Sequence, residues 1–400
     1  MLRIPFFTLV VFAGLAGAAH ADGGRVDREL PFEITSNKPF VQVSINGSPK
    51  QWFILDTGCA GTSVIAKECA LRTGLQGDSE MRTHLGAGEG VQVGVATLRD
   101  ATLEVGGVEM KRPQLRIFSL AHVAPFEGRR VDGLLGQDFL EQHVVEIDYA
   151  RGRIRLMDPA GFVPSGGGTS IPITLVGGLA VAEGAITVRG GDSIPCRFVI
   201  DTGVRATLVL FHPFSVGHRL LDAPGNLLSV LIGGGAGGET RGDVGRLASL
   251  RIGASEFRDP VAIFSRDTVG VFASDGLDGI IGGELLRRCK VTFDYPHARI
   301  ILEPYTRSVP AFEYDMSGLF LATDGDTYRH VIVLSVTQGT PATDAGLRPG
   351  DEIVAIDGRR SPALTLEGAR QVFRTPGTRW LEVQRGGQRL QVTLVTRRLV

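Results

Sequence analysis

Two aspartates stand in the same local sequence, Asp56 in ILDTG and Asp201 in VIDTG. Each follows an apolar run typical of a strand and precedes Thr-Gly. Two carboxylates that are held close together cannot both ionise near neutral pH, because like charges repel, so they share one proton. One carboxyl group can then act as a base while the other acts as an acid. The repeated motif therefore predicts a symmetric acid–base site built from Asp56 and Asp201.

The sequence repeat extends well beyond the motif. WFILDTGCAGTSVI (52–65) aligns without gaps on RFVIDTGVRATLVL (197–210). Farther along, VDGLLGQDFLEQHVVEIDYARGRIRL (131–156) aligns on LDGIIGGELLRRCKVTFDYPHARIIL (277–302). The interval from the motif aspartate to this second block is almost the same in both copies. A repeat of this length predicts two homologous lobes rather than a solenoid.

The residues that follow each aspartate have the types needed to position it. Gly58 and Gly203 let the chain turn sharply and let other backbone approach the carboxylates. The hydroxyl groups of Thr57 and Thr202 can hydrogen-bond to the backbone of the opposite copy. We therefore expect the two loops to hold each other in place.

The second block begins with Asp-Gly, followed by two apolar residues and another glycine. We expect the apolar pairs and their glycines, Gly136 and Gly282, to form a floor beneath the aspartates. Asp132 and Asp278 also repeat and resemble a second acidic pair. Because Asp-Gly commonly forms turns, we expect these two aspartates to have a structural role.

Each half also contains a glycine cluster between its two blocks. The first contains Gly86, Gly88 and Gly90, and the second includes Gly235 and Gly237. Either cluster alone reads as an ordinary surface turn. Their equivalent positions favour a pair of mobile hairpins, or flaps, that fold over a ligand.

Composition is that of a globular protein rich in turns. Hydrophobic residues make up 43% of the chain, charged residues make up 21%, and the 54 glycines are about twice the usual share. The formal charge of −1 and the pI near 6.7 give no reason to expect nucleic acid or an anionic membrane as a partner. Because the histidines and cysteines have no metal-site spacing, we expect no metal and no cofactor.

The N-terminus has the features of a signal peptide. Arg3 precedes an apolar run from Ile4 to Leu15, and Ala19-His20-Ala21 fits a cleavage site. The run is short for a membrane helix, and no later run approaches about 18 continuous apolar residues. We expect a cleaved signal, a periplasmic or secreted protein and no membrane span in the mature chain. The alternative is an uncleaved N-terminal anchor.

Export would allow disulfides to form among the four cysteines. Cys196 and Cys289 both lie in the second copy, where a bridge between them is one option, and Cys59 and Cys69 are the other pair. Four cysteines allow three pairings, and the sequence does not choose among them. Buried free thiols are an equal alternative.

On these motifs, residues 31–303 resemble a pepsin-like or retropepsin-like aspartic protease. The resemblance implies that Asp56 and Asp201 are the catalytic dyad of an aspartic-type endopeptidase. One would deprotonate a water that attacks the peptide carbonyl, and the other would protonate the carbonyl oxygen. Because both halves lie in one chain, a monomer could be complete, although a dimer with exchanged sites is an alternative.

Several positions depart from the family pattern. The residue after the motif glycine is Cys59 in one copy and Val204 in the other, and neither offers a good hydroxyl donor. A guanidinium of Arg205 near the dyad would lower its pKa. The first glycine cluster has His84 and Glu89 where pepsins have a flap tyrosine. These departures bear on the pH optimum and the substrate preference more than on the fold.

From Gly318 onward the chain resembles a PDZ domain of the bacterial protease-associated type. AGLRPGD (345–351) is the most specific stretch, with a helix expected over 366–373 and closing strands over 380–384 and 390–396. PDZ domains bind an extended peptide along a sheet edge beside a helix. The resemblance implies that N–H groups of one loop bind a C-terminal carboxylate, and this loop is Gly318, Leu319, Phe320 and Leu321. The alternative is a domain that only packs on the lobes.

These features predict a mainly β chain with two homologous β-barrel lobes and a C-terminal PDZ domain of α+β type. The expected divisions are a signal peptide (1–21), an N-terminal lobe (22–163), a C-terminal lobe (164–310) and the PDZ domain (311–400). The favoured function is an exported aspartic endopeptidase whose PDZ domain recruits or positions protein or peptide substrates. The alternative is a catalytically weak periplasmic protein that binds peptides or serves as a scaffold.

Overall fold

The computed structural model describes residues 28–78, 82–85, 92–222, 225–235, 238–305 and 310–400. The described chain is mainly β, with 47% strand and 14% helix, as the sequence predicts. The expected signal peptide lies outside the described residues. Among the described helices, none is both long and apolar enough to cross a membrane.

The first lobe is a small barrel with short helices at its rim. Its elements are β1 (Arg28–Pro31), β2 (Glu33–Thr35), β3 (Lys38–Ile45), β4 (Gln51–Leu55), β5 (Val64–Ala66), α1 (Lys67–Thr73), β6 (Arg82–Leu85), β7 (Gln92–Val105), β8 (Val108–Phe118), α2 (Ala124–Glu127), β9 (Gly133–Leu135), α3 (Gln137–Leu140), β10 (Val144–Asp148) and β11 (Arg153–Met157).

Eight strands of this lobe follow the order β2-β3-β4-β9-β5-β8-β7-β6, and an additional pairing of β7 with β3 closes the barrel. β4 lies between β3 and β9, and its Phe53, Ile54 and Leu55 are all buried. A strand covered on both faces reads as a continuous apolar run, which explains the unbroken stretch before Asp56.

The second lobe repeats this arrangement. Its elements are β12 (Thr169–Val176), β13 (Leu179–Thr187), β14 (Ser193–Ile200), β15 (Leu208–Leu210), α4 (His212–Gly217), β16 (Leu228–Gly235), β17 (Gly238–Arg246), β18 (Ser249–Ile252), β19 (Ser255–Arg258), β20 (Val261–Ser265), β21 (Gly279–Ile281), α5 (Gly283–Leu286), β22 (Cys289–Asp294) and β23 (Arg299–Pro304).

The strand order in this barrel is β13-β14-β21-β15-β20-β17-β16, and β18 pairs with β13. Tight turns join the strands that precede each motif, and Asn46 and Gly47 in one lobe and Gly190 in the other have positive φ. The two turn dipeptides seen in the sequence therefore form hairpins as expected.

A central sheet joins the lobes. It has the order β1-β11-β10-β22-β23-β12, with β10 and β22 antiparallel at its middle. Val145 lies opposite Phe293, and Ile147 lies opposite Val291. These pairs exchange when equivalent residues of the two sequence blocks are exchanged. The ladder is thus symmetric about an approximate two-fold axis, and the same symmetry relates the two barrels.

The C-terminal domain is a separate sheet with two short helices. Its elements are β24 (Leu319–Asp324), β25 (His330–Val336), α6 (Pro341–Asp344), β26 (Glu352–Ile356), β27 (Arg359–Arg360), α7 (Leu366–Val372), β28 (Gly377–Arg385) and β29 (Gln388–Thr396). The order is β24-β25-β26-β28-β29, with β27 paired to β26. The expected helix and closing strands are present, and the strands are longer than predicted. Its core centres on buried Phe373, Leu381 and Val383.

Candidate active site

The two motif aspartates lie at equivalent points, each directly after a strand in the middle of its barrel. Asp56 follows β4, and its backbone N–H donates to the Leu135 carbonyl at 2.9 Å. Asp201 follows β14, and its N–H donates to the Ile281 carbonyl at 2.9 Å. β9 and β21, which carry these carbonyls, run parallel to β4 and β14. Each motif aspartate is therefore anchored to the strand of the second sequence block that lies beside it.

The two loops are locked together by reciprocal threonine hydrogen bonds. Thr57 Oγ1 donates to the Ile200 carbonyl at 2.7 Å and accepts from the Thr202 N–H at 3.0 Å. Thr202 Oγ1 donates to the Leu55 carbonyl at 2.6 Å and accepts from the Thr57 N–H at 3.1 Å. Both threonines are buried, so each hydroxyl pairs two backbone groups that water cannot reach.

The motif glycines leave room for the carboxylate of the opposite lobe. A Cβ added at Gly58 would overlap the Asp201 carboxylate, and one added at Gly203 would overlap that of Asp56. Each glycine N–H also donates to the aspartate of its own loop, at 2.9 Å to Asp56 Oδ1 and 2.7 Å to Asp201 Oδ1. Any larger residue at either position would push the two carboxyl groups apart.

Gly136 and Gly282 each pack against the residue that follows the motif glycine of the same lobe. A Cβ on Gly136 would come within 2.5 Å of the Cys59 carbonyl, and one on Gly282 within 2.7 Å of the Val204 carbonyl. The residues after the motif glycines thus act through their backbone. The Cys59 carbonyl accepts from the Gln137 N–H at 3.0 Å, and the Val204 carbonyl accepts from the Gly283 N–H at 2.7 Å.

The carboxyl groups of Asp56 and Asp201 lie close together, since each lies against the motif glycine of the opposite loop. Two carboxyl groups in this arrangement share one proton, because like charges repel. Burial raises the pKa of both, and the negative charge of Asp56 raises that of Asp201 further. Asp201 is only 7% exposed, whereas Asp56 is half-buried. These surroundings favour the proton on Asp201 and the charge on Asp56.

Lys38, at the start of β3, contributes a positive charge to the dyad. It lines the same cleft as both aspartates, and its charge lowers the pKa of each carboxyl group. Its Nζ forms a 2.7 Å ion pair with Glu127, and the two side chains are only 13% and 5% exposed. Lys38 is not among the residues predicted from the sequence, because no motif marks it. The one available signal was its position at the start of the strand that pairs with β4.

Arg205 has a different position from the one considered for it. Its charge acts on Tyr314 and Arg370 at the C-terminal domain. Its carbonyl accepts a hydrogen bond from Asn37 Nδ2 at 2.8 Å. The cation with a large influence on both dyad carboxyl groups is Lys38.

Asp132 and Asp278 have structural roles, as expected. Asp132 Oδ2 accepts the Trp52 N–H at 2.8 Å, and Asp278 Oδ2 accepts the Arg197 N–H at 2.7 Å. Each therefore secures the strand that leads to a motif aspartate. Asp132 is buried and is also paired with Arg72 and Arg130, at 2.6 and 2.9 Å.

All four cysteines are buried free thiols, so the disulfides considered from the sequence are not formed. Spacing along the chain could not reveal this, because it carries no distance between side chains. Burial raises the pKa of the Cys69 thiol to about 11 and that of Cys196 to about 12. With pKa values this high, the two thiols carry their protons at neutral pH, and the thiol is a much weaker nucleophile than the thiolate.

β6 pairs with β7 in the first lobe and β16 pairs with β17 in the second, both antiparallel. In the second, Gly235 is paired with Gly238, and Ile232 and Thr240 line the cleft. Gly86, Gly88, Gly90 and Gly237 lie outside the described residues. The flap role stays a prediction.

The cleft between the lobes is a cavity of about 1450 Å³ that continues to the C-terminal domain. Besides the dyad, it is lined by Leu319, Phe320 and Leu321 of β24 and by Arg370 and Arg374 near α7. The domain expected to bind peptides thus forms part of the same cavity as the aspartates. In the part of the chain that the structure describes, no cluster of His, Cys, Asp and Glu side chains is arranged to hold a metal ion.

Two N–H groups of the predicted carboxylate-binding loop already have hydrogen-bond partners within the chain. Gly318 N–H donates to Asp315 Oδ1 at 2.6 Å, and Leu319 N–H donates to Ser317 Oγ at 3.0 Å. These two N–H groups therefore have partners within the chain, and the carboxylate-binding role of the loop stays a prediction. The acidic residue three positions before the glycine was the overlooked signal, since aspartate commonly accepts nearby backbone N–H groups.

Comparison with known proteins agrees with this geometry. A family model described as aspartyl protease matches residues 41–139, and one described as PDZ domain matches residues 332–385. A search of curated proteins finds no match. The first match contains the first Asp-Thr-Gly loop and its floor, and the second contains most of the C-terminal sheet. Both agree with the resemblance seen in the sequence: the chain carries an aspartyl protease domain and a C-terminal PDZ domain.

Proposed function

We propose that this protein is an aspartic endopeptidase in which Asp56 is the base and Asp201 is the acid. The proposal is supported above all by the two carboxyl groups, which line one cleft and each lie against the motif glycine of the opposite loop. One proton shared by two such groups supplies a base and an acid at the same point. The reciprocal threonine bonds and the two motif glycines support it, because they hold the two loops together and leave room for the carboxyl groups.

In the proposed reaction, ionised Asp56 removes a proton from a water molecule, which attacks the carbonyl carbon of the peptide bond. Protonated Asp201 donates its proton to the carbonyl oxygen. The proton on Asp56 then passes to the leaving nitrogen as the C–N bond breaks. Asp201 regains a proton from the tetrahedral intermediate, so the dyad returns to its starting state.

The proposed site is selective for extended polypeptides rather than small molecules. Its support is the cavity of about 1450 Å³ that runs from the dyad to the C-terminal domain. We further propose that the PDZ domain recruits or positions protein substrates and that the protein is exported after cleavage near Ala21. N-terminal sequencing of protein recovered from the periplasm or the medium would test the export.

Cleavage of a reduced and alkylated casein between pH 3 and 7 tests the assignment of the dyad. Asp56→Asn and Asp201→Asn should each lower the rate by about 10²–10⁴-fold, the usual contribution of general acid–base catalysis. The matched control is Asp222→Asn, since Asp222 is an exposed aspartate paired with Arg219 on the surface. Cleavage by either dyad variant at the parent rate would refute the assignment. A parent that neither cleaves nor binds pepstatin would favour the scaffold alternative.

A further inference from the structure

The PDZ domain offers the usual elements of a peptide groove. β24 is the edge strand of its sheet, and α7 lies beside it. PDZ ligands add to such an edge as an extra strand and place side chains against the neighbouring helix. In this protein, part of the first lobe lies on the groove.

Helix α2 of the first lobe lies directly against β24. Thr323 Oγ1 donates to the Pro125 carbonyl at 3.0 Å. The ring of Phe126 packs on that of Phe320, with centroids 5.8 Å apart and planes tilted by 45°. One polar and one aromatic contact therefore attach α2 to two residues of the peptide-binding strand.

The same segment also contacts α7, on the other side of the groove. Arg370 Nη1 donates to the Phe126 carbonyl at 2.8 Å, and its Nη2 donates to the Leu321 carbonyl at 3.0 Å. One guanidinium thus joins β24 to the lobe. A Cβ on Gly128, which has φ +67°, would lie 2.9 Å from Leu366 Cβ, so the backbone here leaves no space for a second chain.

The loop at the end of the groove is filled by a carboxylate of the chain itself. Asp315 Oδ1 accepts the N–H groups of Ser317 and Gly318 at 2.9 and 2.6 Å and the Ser317 hydroxyl at 2.7 Å. Consecutive N–H groups of this kind form an anion-binding concavity. A ligand carboxylate arriving at this loop would meet the charge of Asp315.

We propose that residues 123–128 are an internal ligand of the PDZ groove, and that a peptide ending in a free carboxylate binds there only after this segment has left. Residues 123–128 cover the apolar part of the groove, and Asp315 occupies the part that would hold a carboxylate. The proposal rests on the peptide-binding character of the PDZ domain and not on the proposed cleavage chemistry.

Leaving the groove would also disturb the active site. α2 ends with Glu127, which holds Lys38 beside the dyad. Displacement of α2 therefore moves the partner of Lys38, whose charge acts on both carboxyl groups of the dyad. Occupation of the groove by a peptide and the state of the dyad are linked through this ion pair.

The first test measures binding of a fluorescein-labelled peptide ending in Ala-Val-Phe with a free carboxylate, by anisotropy, to the full chain. Phe126→Ala should bind it about tenfold more tightly than the parent, because the apparent affinity rises with the fraction of molecules whose groove is open. The control, Phe162→Ala, removes a half-buried phenylalanine that contacts Arg299, and should bind like the parent. Equal affinity for Phe126→Ala and the parent, or no binding by either, would overturn the proposal.

The second test uses the unaltered protein, so it does not depend on how well a variant folds. Hydrogen–deuterium exchange is measured with and without a saturating amount of the same peptide. The amides of residues 123–128 should exchange faster when the peptide is bound, while those of β24 become protected. Protection of β24 with unchanged exchange at 123–128 would mean that both fit together, which contradicts the proposal. Both readouts report binding, so they can fail while cleavage succeeds, and the reverse.

Discussion

Lys38 is the first residue of β3 in the first lobe. Leu179 is the first residue of the equivalent strand, β13, in the second lobe. β3 and β13 have the same relation to their motifs, since Phe40 lies opposite Ile54 and Val181 lies opposite Val199. The backbone around the two aspartates is nearly symmetric, but the charge beside them is not. The repeated backbone thus sets the geometry of the dyad, while the flanking side chains set the charge beside it.

A second difference concerns the aromatic residue that precedes each floor strand. Phe126 and Phe272 precede the matched blocks by the same interval. Phe272 is buried against Phe211 of its own lobe, with ring centroids 5.8 Å apart. Phe126 packs instead on Phe320 of the PDZ domain. The same position thus serves the core in one lobe and domain docking in the other.

The acidic residue after each floor glycine differs in the same way. Asp138 Oδ1 accepts from the Ser63 N–H at 3.0 Å and from its hydroxyl at 2.6 Å, so it serves its own lobe. Glu284 is buried at the meeting point of both lobes and the PDZ domain. It accepts from Asn37 Nδ2 at 2.9 Å and from Arg374 Nη1 at 3.0 Å.

The largest expected effect tests this last contrast. Glu284→Gln should lower the free energy of unfolding by about 3–5 kcal/mol, because it removes a buried carboxylate that three arginines share, Arg287, Arg288 and Arg374. Asp138→Asn should cost only about 1 kcal/mol, since an amide oxygen still accepts from Ser63. Urea unfolding of both variants measures the difference. Equal losses would show that Glu284 has no special role in joining the three parts.

This effect has a defined pH dependence. Burial raises the pKa of Glu284, but the charges of Arg374, Arg287 and Arg288 outweigh burial and hold it below the ordinary value of 4.5. A lowered pKa in the folded state stabilises the protein above that ordinary value, and the contribution is lost as the pH falls through the folded-state pKa. The gap between the parent and Glu284→Gln should therefore be full at neutral pH and shrink in acid.

A smaller effect tests the symmetric part of the comparison. Thr57→Val and Thr202→Val each remove a hydroxyl that pairs two buried backbone groups of the opposite loop. Each should lower the free energy of unfolding by about 1–3 kcal/mol, and by equal amounts. Thr174→Val, at an exposed strand position, should change it little. Thermal unfolding would contradict the symmetry if one threonine variant were as stable as the parent.

The prediction that is most specific to catalysis concerns Lys38. Lys38→Met removes a charge that lowers the pKa of both dyad carboxyl groups, so both pKa values rise. The acid and alkaline limits of the pH–rate profile of kcat/KM should then both move to higher pH. Leu179→Lys should move them the opposite way, because it adds a positive charge beside the dyad.

Two variants separate charge from folding in that experiment. Lys38→Arg keeps the charge and should keep the parent profile. Lys38→Met combined with Glu127→Gln removes both partners of the buried pair, so it restores neutrality there and should still show the shifted profile. If the profile of Lys38→Met coincided with that of the parent, Lys38 would have only a structural role.

Local repetition explains which parts could be predicted from the sequence. The dyad, its threonines and its floor lie within two short blocks, and the presence of each block twice identified them. Lys38 could not be found in this way, because its position depends on the register between β3 and β4. The contact of Phe126 with Phe320 depends on how two domains dock, and no local pattern encodes that.

The cysteines and Arg205 illustrate the same limit. Cys196 and Cys289 are near the site in sequence terms, yet their thiols are separate and buried in the core. Arg205 lies four residues after Asp201, but its charge acts on Tyr314 and Arg370. Closeness along the chain therefore predicted neither a disulfide partner for the cysteines nor the groups on which the Arg205 charge acts. The side chains of a sharp loop point in different directions.

The central claim is that Asp56 and Asp201 act as one unit that shares a proton. Its most direct test is a double-mutant cycle on kcat/KM, with Asp56→Asn, Asp201→Asn and the double variant acting on one fluorogenic peptide. Residues that act as a unit are non-additive, so the account predicts that each single variant loses about as much activity as the double variant. Losses that multiply in the double variant, or a single variant that retains the parent activity, would contradict the shared dyad.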